Sequence, residues 1–105
     1  MQQTQPMQRV GEFSIPADHP SLPGHFPGRP VVPGVVLLDA AFALILAQQP
    51  GRIVVGVPSV KFTEPVRPGQ RVAVACDGGG ERVAFSCAVG GQDVLRGVLT
   101  LGEQR

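Results

Sequence analysis

The sequence predicts an α+β domain in which an antiparallel sheet wraps one central, buried helix. Two observations carry that prediction. The segment Val35 to Ala47 is apolar apart from Asp39, and it follows a Pro/Gly-rich stretch that ends at Pro33-Gly34. After Gly51 the pattern changes to Val-rich runs broken by Gly-containing turns, which reads as strands.

Taken in order, Met1 to Gln8 is a polar, Gln-rich stretch expected to be a disordered tail, and residues 9–105 are expected to form a single domain. Arg9 to Ile15 alternates well enough for a first strand. Pro16 to Pro33 holds many of the prolines and reads as a long loop, a length uncommon inside a compact domain unless the loop has a function. Gly34 to Gln49 is the predicted helix, stopped by Pro50-Gly51. Being apolar nearly all round, it is expected to be buried and wrapped by the sheet. Strands are expected over Arg52 to Glu64, with Pro58 as an interruption, and over Gln70 to Cys76, Glu81 to Val89 and Gln92 to Leu101. Consecutive strands joined by short turns form antiparallel ladders.

Composition narrows the function. The 105-residue chain has a formal charge of +1, a single lysine (Lys61), and neither Trp nor Tyr. It therefore lacks the basic, aromatic-interleaved footprint of a nucleic-acid binder. No apolar run reaches membrane-spanning length and the Gln-rich start lacks a signal-peptide core, so a cytoplasmic protein is expected. Cys76 and Cys87 have no C-x-x-C spacing and no His beside them, so they read as small core residues with reduced thiols rather than as a metal site or redox pair. Gly78-Gly79-Gly80 reads as a hairpin turn, since no Lys and helix follow it as in a phosphate-binding loop.

The chemistry concentrates in Gly24-His25-Phe26-Pro27-Gly28-Arg29-Pro30-Val31-Val32-Pro33-Gly34 and the helix behind it. So many prolines and glycines leave the loop few conformations to lose, which suits a histidine held as a general base. Gly34 stands at the helix start, where unpaired N–H groups and the positive dipole end can polarise a carbonyl oxygen. Asp39, flanked in sequence by Val35, Val36, Leu38, Ala40, Phe42 and Ala43, is expected to be buried, and burial raises a carboxyl pKa toward the range of a proton donor. Base, oxyanion-type donor and acid thus occur in order: His25, Gly34, Asp39.

The order His25, Phe26, Gly28, Pro30, Val31, Pro33, Gly34, Asp39, Ala40 resembles the 3-hydroxyacyl-[acyl-carrier-protein] dehydratases of the hot-dog fold. Val60-Lys61-Phe62-Thr63-Glu64-Pro65-Val66-Arg67-Pro68-Gly69-Gln70 is similar to the second recurring stretch of that family. The resemblance implies a hot-dog fold and dehydration of (3R)-3-hydroxyacyl thioesters on acyl carrier protein. It implies His25, Gly34 and Asp39 as catalytic groups, and Phe26, Arg29, Val32, Pro33 and Phe42 as substrate-binding ones. Neither metal nor diffusible cofactor is implied. The active site would lie between two subunits, so a homo-oligomer is expected, either a dimer or a trimer of dimers. Asp at position 39 is similar to the branch that also isomerises the double bond. Val32 stands where Met is usual, and the short chain is more similar to the small dehydratase-like members. Two other functions share this fold: acyl-thioester hydrolysis, and a non-catalytic subunit that binds the acyl chain or carrier protein in a mixed dimer.

Overall fold

The computed structural model describes residues 7–19, 31–78 and 80–104. It contains β1 (Gln8–Phe13), α1 (Gly34–Ala47), β2 (Arg52–Phe62), β3 (Val72–Cys76), β4 (Arg82–Val89) and β5 (Gln92–Glu103). All strands join one antiparallel sheet in the order β1-β3-β4-β5-β2. Residues 1–6 of the expected tail, most of the expected long loop, and Gly79 of the glycine turn lie outside the described residues, while Gln8, expected in the tail, is instead the first residue of β1, paired with Cys76.

Helix α1 starts where Pro33, with φ −59° and ψ 144°, supplies the extended residue before the first turn. Its carbonyl accepts from the amides of Val36 (3.0 Å) and Leu37 (3.3 Å). At the other end the amides of Gln48 and Gln49 donate to Ile45 and Leu46, tightening the last turn, and Gly51 then reverses the chain with φ 80°. That tightening ends α1 at Ala47, short of the predicted Gln49.

Strands β3, β4 and β5 form a meander whose inner rows are Val72, Val74 and Cys76; Val83, Phe85 and Cys87; and Leu95, Leu99 and Leu101, all buried. Leu37, Ala41 and Ile45 of α1 pack on these rows. The β4–β5 connection is a two-residue turn, Gly90 at φ 60° and Gly91 at φ 84°, the left-handed pair that the twist of a tight hairpin favours.

Strand β2 is the immediate neighbour of β5 rather than of β3, and it forms an outer edge of the sheet. Pro58 sits inside it, where the register shifts between Gly56 and Ser59. A strand with one free side tolerates a residue lacking an N–H, so the proline bends β2 without ending it.

The helix corrects a second expectation. The sheet covers only one of its sides, so Val35 is 69% exposed, and Asp39, Ala43 and Ala47 follow it at four-residue spacing along the same open face. Asp39 is exposed in the protomer, not enclosed by the apolar residues that flank it in sequence.

Cys76 and Cys87 are free, buried members of the core, as their isolation from His and from a C-x-x-C pair predicts. Burial, aided by the charge of Asp93, pushes the Cys87 thiol up to about 12 from the usual 9.0. Because the folded value is the higher one, this group's contribution to stability is complete below pH 9 and is lost as pH rises from about 9 to 12.

Two outcomes are expected. Titration of unfolding free energy against pH should show a decline above pH 9 that is shallower in Cys87→Ala, the difference being on the order of 1 kcal/mol per pH unit. Phe85→Ala, which empties the centre of the core, should lower unfolding free energy by roughly 3–5 kcal/mol in denaturant titrations.

Candidate active site

The two motif stretches meet at the N-terminal end of α1. The amide of Val32 donates to the carbonyl of Val66 at 2.8 Å, joining the segment that leads into the helix to the segment that leaves β2. Thr63 and Glu64 are tied in turn to β5, both amides donating to the Val94 carbonyl at 2.9 and 3.3 Å. Between the joined segments lies a hollow of about 390 Å³, bordered by Val31, Val32, Gly34, Leu37, Phe62 and Glu64. Its wall is mostly aliphatic and aromatic, as an acyl group requires.

Gly34 is at the helix start, and the ring of Phe62 lies against it. A Cβ at position 34 would come within 2.7 Å of Phe62 Cζ and 2.9 Å of Cε1. Glycine is required here because of that close approach. The first amides of a helix have no partner within it and carry the positive end of its dipole, so the Gly34 end of α1 is suited to an oxygen that gains negative charge.

The predicted site residues are distributed as follows. Gly34 and Val32 border the hollow, Val32 as a buried residue. Pro33 caps the helix between them. Asp39 stands on the open face of α1, on the exposed stripe that begins at Val35. Phe42 is apart from the hollow: its ring packs edge-on against Phe85, centroids 5.5 Å apart at 78°, so within the protomer it serves the core. His25, Phe26 and Arg29 lie outside the described residues. The hollow also takes in Phe62, Leu37 and Glu64, which motif matching did not assign to the site. For Phe62 a signal was present, an aromatic residue at the end of a strand just before a Pro-Val turn, but only the fold brings it onto Gly34.

Gly34→Ala should destabilise the protein through its contact with the Phe62 ring. Adding Phe62→Ala should recover part of that loss, a coupling of roughly 0.5–3 kcal/mol in a double-mutant cycle of unfolding free energies.

Comparison with known proteins agrees with this geometry. A family model described as ApeI-like, ApeI dehydratase, matches residues 1–98. A 3-hydroxyacyl-[acyl-carrier-protein] dehydratase FabZ of Chloroflexus aggregans is 38% identical over 71 residues, 60% of this chain and 49% of that protein. The chain spans about half the length of the curated relatives it matches. Among solved structures, an uncharacterized protein from Erwinia carotovora subsp. atroseptica superposes with a TM-score of 0.71 at 26% identity, over 88% of this chain and 80% of that one. The dehydratase heterocomplex ApeI:P from Xenorhabdus doucetiae gives a TM-score of 0.72 at 21% identity, over 94% of this chain and 98% of that one. The fold is therefore the hot-dog fold, and the chain belongs to the ApeI-like dehydratase family.

Proposed function

We propose that the protein removes water from a (3R)-3-hydroxyacyl thioester carried on acyl carrier protein and forms the trans-2-enoyl thioester. The observation that carries this reading is the apolar hollow at the Gly34 end of α1, formed where the two motif segments meet. It places helix-start amides beside a cavity suited to an acyl thioester, within a chain of dehydratase family.

In this mechanism His25 takes the C2 proton and the electron pair of that C–H bond forms the C2–C3 double bond. The amide of Gly34 holds the thioester oxygen while enolate character develops, an interaction that strengthens as water is excluded. The C3–O bond breaks, and Asp39 gives a proton to the departing hydroxyl, which leaves as water. Reprotonation of Asp39 and release of the proton from His25 complete the cycle. Val32 and Phe26 contact the acyl chain, Pro33 fixes the helix start, and Arg29 faces the carrier protein. Phe42, packed edge-on against Phe85, supports the helix from the core. Nothing in this reaction calls for a metal or a diffusible cofactor.

The site is completed by a second subunit, with His25 of one chain facing Asp39 of the other. The exposure of Asp39 supports this, because an acid serving its own protomer would not need to stand on the open side of the helix. The free edge of β2 supports it as well. That edge offers unpaired backbone groups along with Ile53, Val55 and Val57, Val55 being 61% exposed, and edges of this kind pair with another strand. Homodimers, alone or as a trimer of dimers, satisfy both. The reaction is assigned to the cytoplasm; among the described residues no helix is long and apolar enough to cross a membrane.

A second reading is favoured by the Xenorhabdus neighbour, which is a dehydratase heterocomplex. Here the chain pairs with a related subunit and lends it half of a site. Native pull-down separates the two, yielding a homodimer on the first reading and a mixed dimer on the second.

Mass spectrometry of 3-hydroxyacyl and trans-2-enoyl carrier proteins should show loss and gain of 18 mass units, the mass of water, with the wild type. Turnover should be lower by about a hundredfold or more in His25→Ala and in Asp39→Asn. Release of free acid that survives His25→Asn would identify a thioesterase instead.

A further inference from the structure

The face of the sheet turned away from α1 carries a second hollow, of about 430 Å³, that the proposed chemistry does not use. Strand register defines it as rows across β4, β5 and β2. Ala84, Val98 and Ser59 align in one row, and Ser86, Arg96 and Lys61 in the next. The short side chains of the first row leave the hollow open, and its rim is Lys61 and Arg96. Arg82 lies on the same face two residues before Ala84.

Lys61 and Arg96 are direct cross-strand partners, an arrangement in which like charges repel. Neither they nor Arg82 takes part in an ion pair among the described residues. The sheet thus keeps two facing cations beside a shallow apolar floor, a local cost to folding that no ion pair among the described residues offsets. A second copy of the chain laid back to back would add two more cations to the same place. An acidic surface would relieve the repulsion.

We propose that this face docks the acidic carrier protein, with Lys61 and Arg96 pairing its carboxylates and the Ala84–Val98–Ser59 floor receiving an apolar side chain. The inference rests on the carrier-bound substrate proposed above. Its placement relative to the first hollow is consistent with that role, because successive residues of β2 point to opposite faces: Phe62 borders the substrate cavity and Lys61 the outer one. The carrier would sit on one side of the strand end while its prosthetic arm rounds that end to reach Gly34. Arg71, beside β3 toward the opposite edge of the sheet, is by contrast already paired with Glu12.

The test uses the full chain in its native oligomer, with Lys61→Glu/Arg96→Glu and the milder Lys61→Ala/Arg96→Ala, each checked for unchanged thermal unfolding. Isothermal titration with acyl carrier protein should show binding by the wild type that weakens with added salt. The affinity should fall by about tenfold or more on charge reversal and less on truncation. KM for the carrier-borne substrate should rise in parallel, with kcat, and turnover of the same acyl group on N-acetylcysteamine, unchanged. Carrier binding unaltered by charge reversal, or no carrier binding by the wild type, overturns the proposal, as does equal loss with both substrates. A wild type that binds the carrier through these residues but is inert on every thioester leaves the docking face standing and removes the dehydratase reading. Variants that lose affinity for RNA or anionic vesicles and retain it for the carrier would assign the face to that other partner and also overturn the proposal.

Discussion

The structure depends on one junction, the hydrogen bond from the Val32 amide to the Val66 carbonyl together with the seat of the Phe62 ring on Gly34. The bond joins chain segments more than thirty residues apart, so it closes only once β2 has found β5 and α1 has found the sheet. When it closes, the helix start and the strand end are held against each other with only the Phe62 ring between them. The hollow at the helix start is the space left beside that contact. Filling position 34 with even a methyl group would push the two apart.

The same geometry explains why the helix is apolar on more sides than the sheet covers. Leu37, Ala41 and Ile45 are consumed by the core, and Phe42 is held edge-on to Phe85. The stripe that starts at Val35 has no cover within the protomer. An apolar stripe and a free apolar strand edge on one small domain both gain from burial against another chain. Interrupting the stripe with Asp39 puts the one acid of the helix where a partner's loop can meet it.

The opposite face of the sheet is governed by charge rather than by burial. Its middle is built from small residues and its rim from cations, and neither feature adds to the core. The two faces of β2 are separate, with Phe62 turned to the hollow at the helix start and Lys61 to the outer one. Alternation along a single strand suffices to separate them.

Local chemistry made much of this legible in the sequence. Pro33-Gly34 and Pro50-Gly51 mark the ends of the helix, Val-rich runs mark the strands, and Gly34 marks the helix start beside the hollow, because caps, turns and periodicity act between residues close in the chain. The extent of Asp39's burial was not legible, since an apolar neighbourhood in sequence becomes one in space only on the side of a helix that something covers. Nor was the position of β2 beside β5, which rests on a ladder between residues some thirty to fifty positions apart. Phe62 follows the same rule: its residue type was visible in the motif, but its contact with Gly34 exists only through that long-range ladder. What the sequence determined by itself was the set of elements and the chemistry they carry. The tertiary structure decided which of those groups share a cavity, because long-range pairing and burial depend on the whole chain at once.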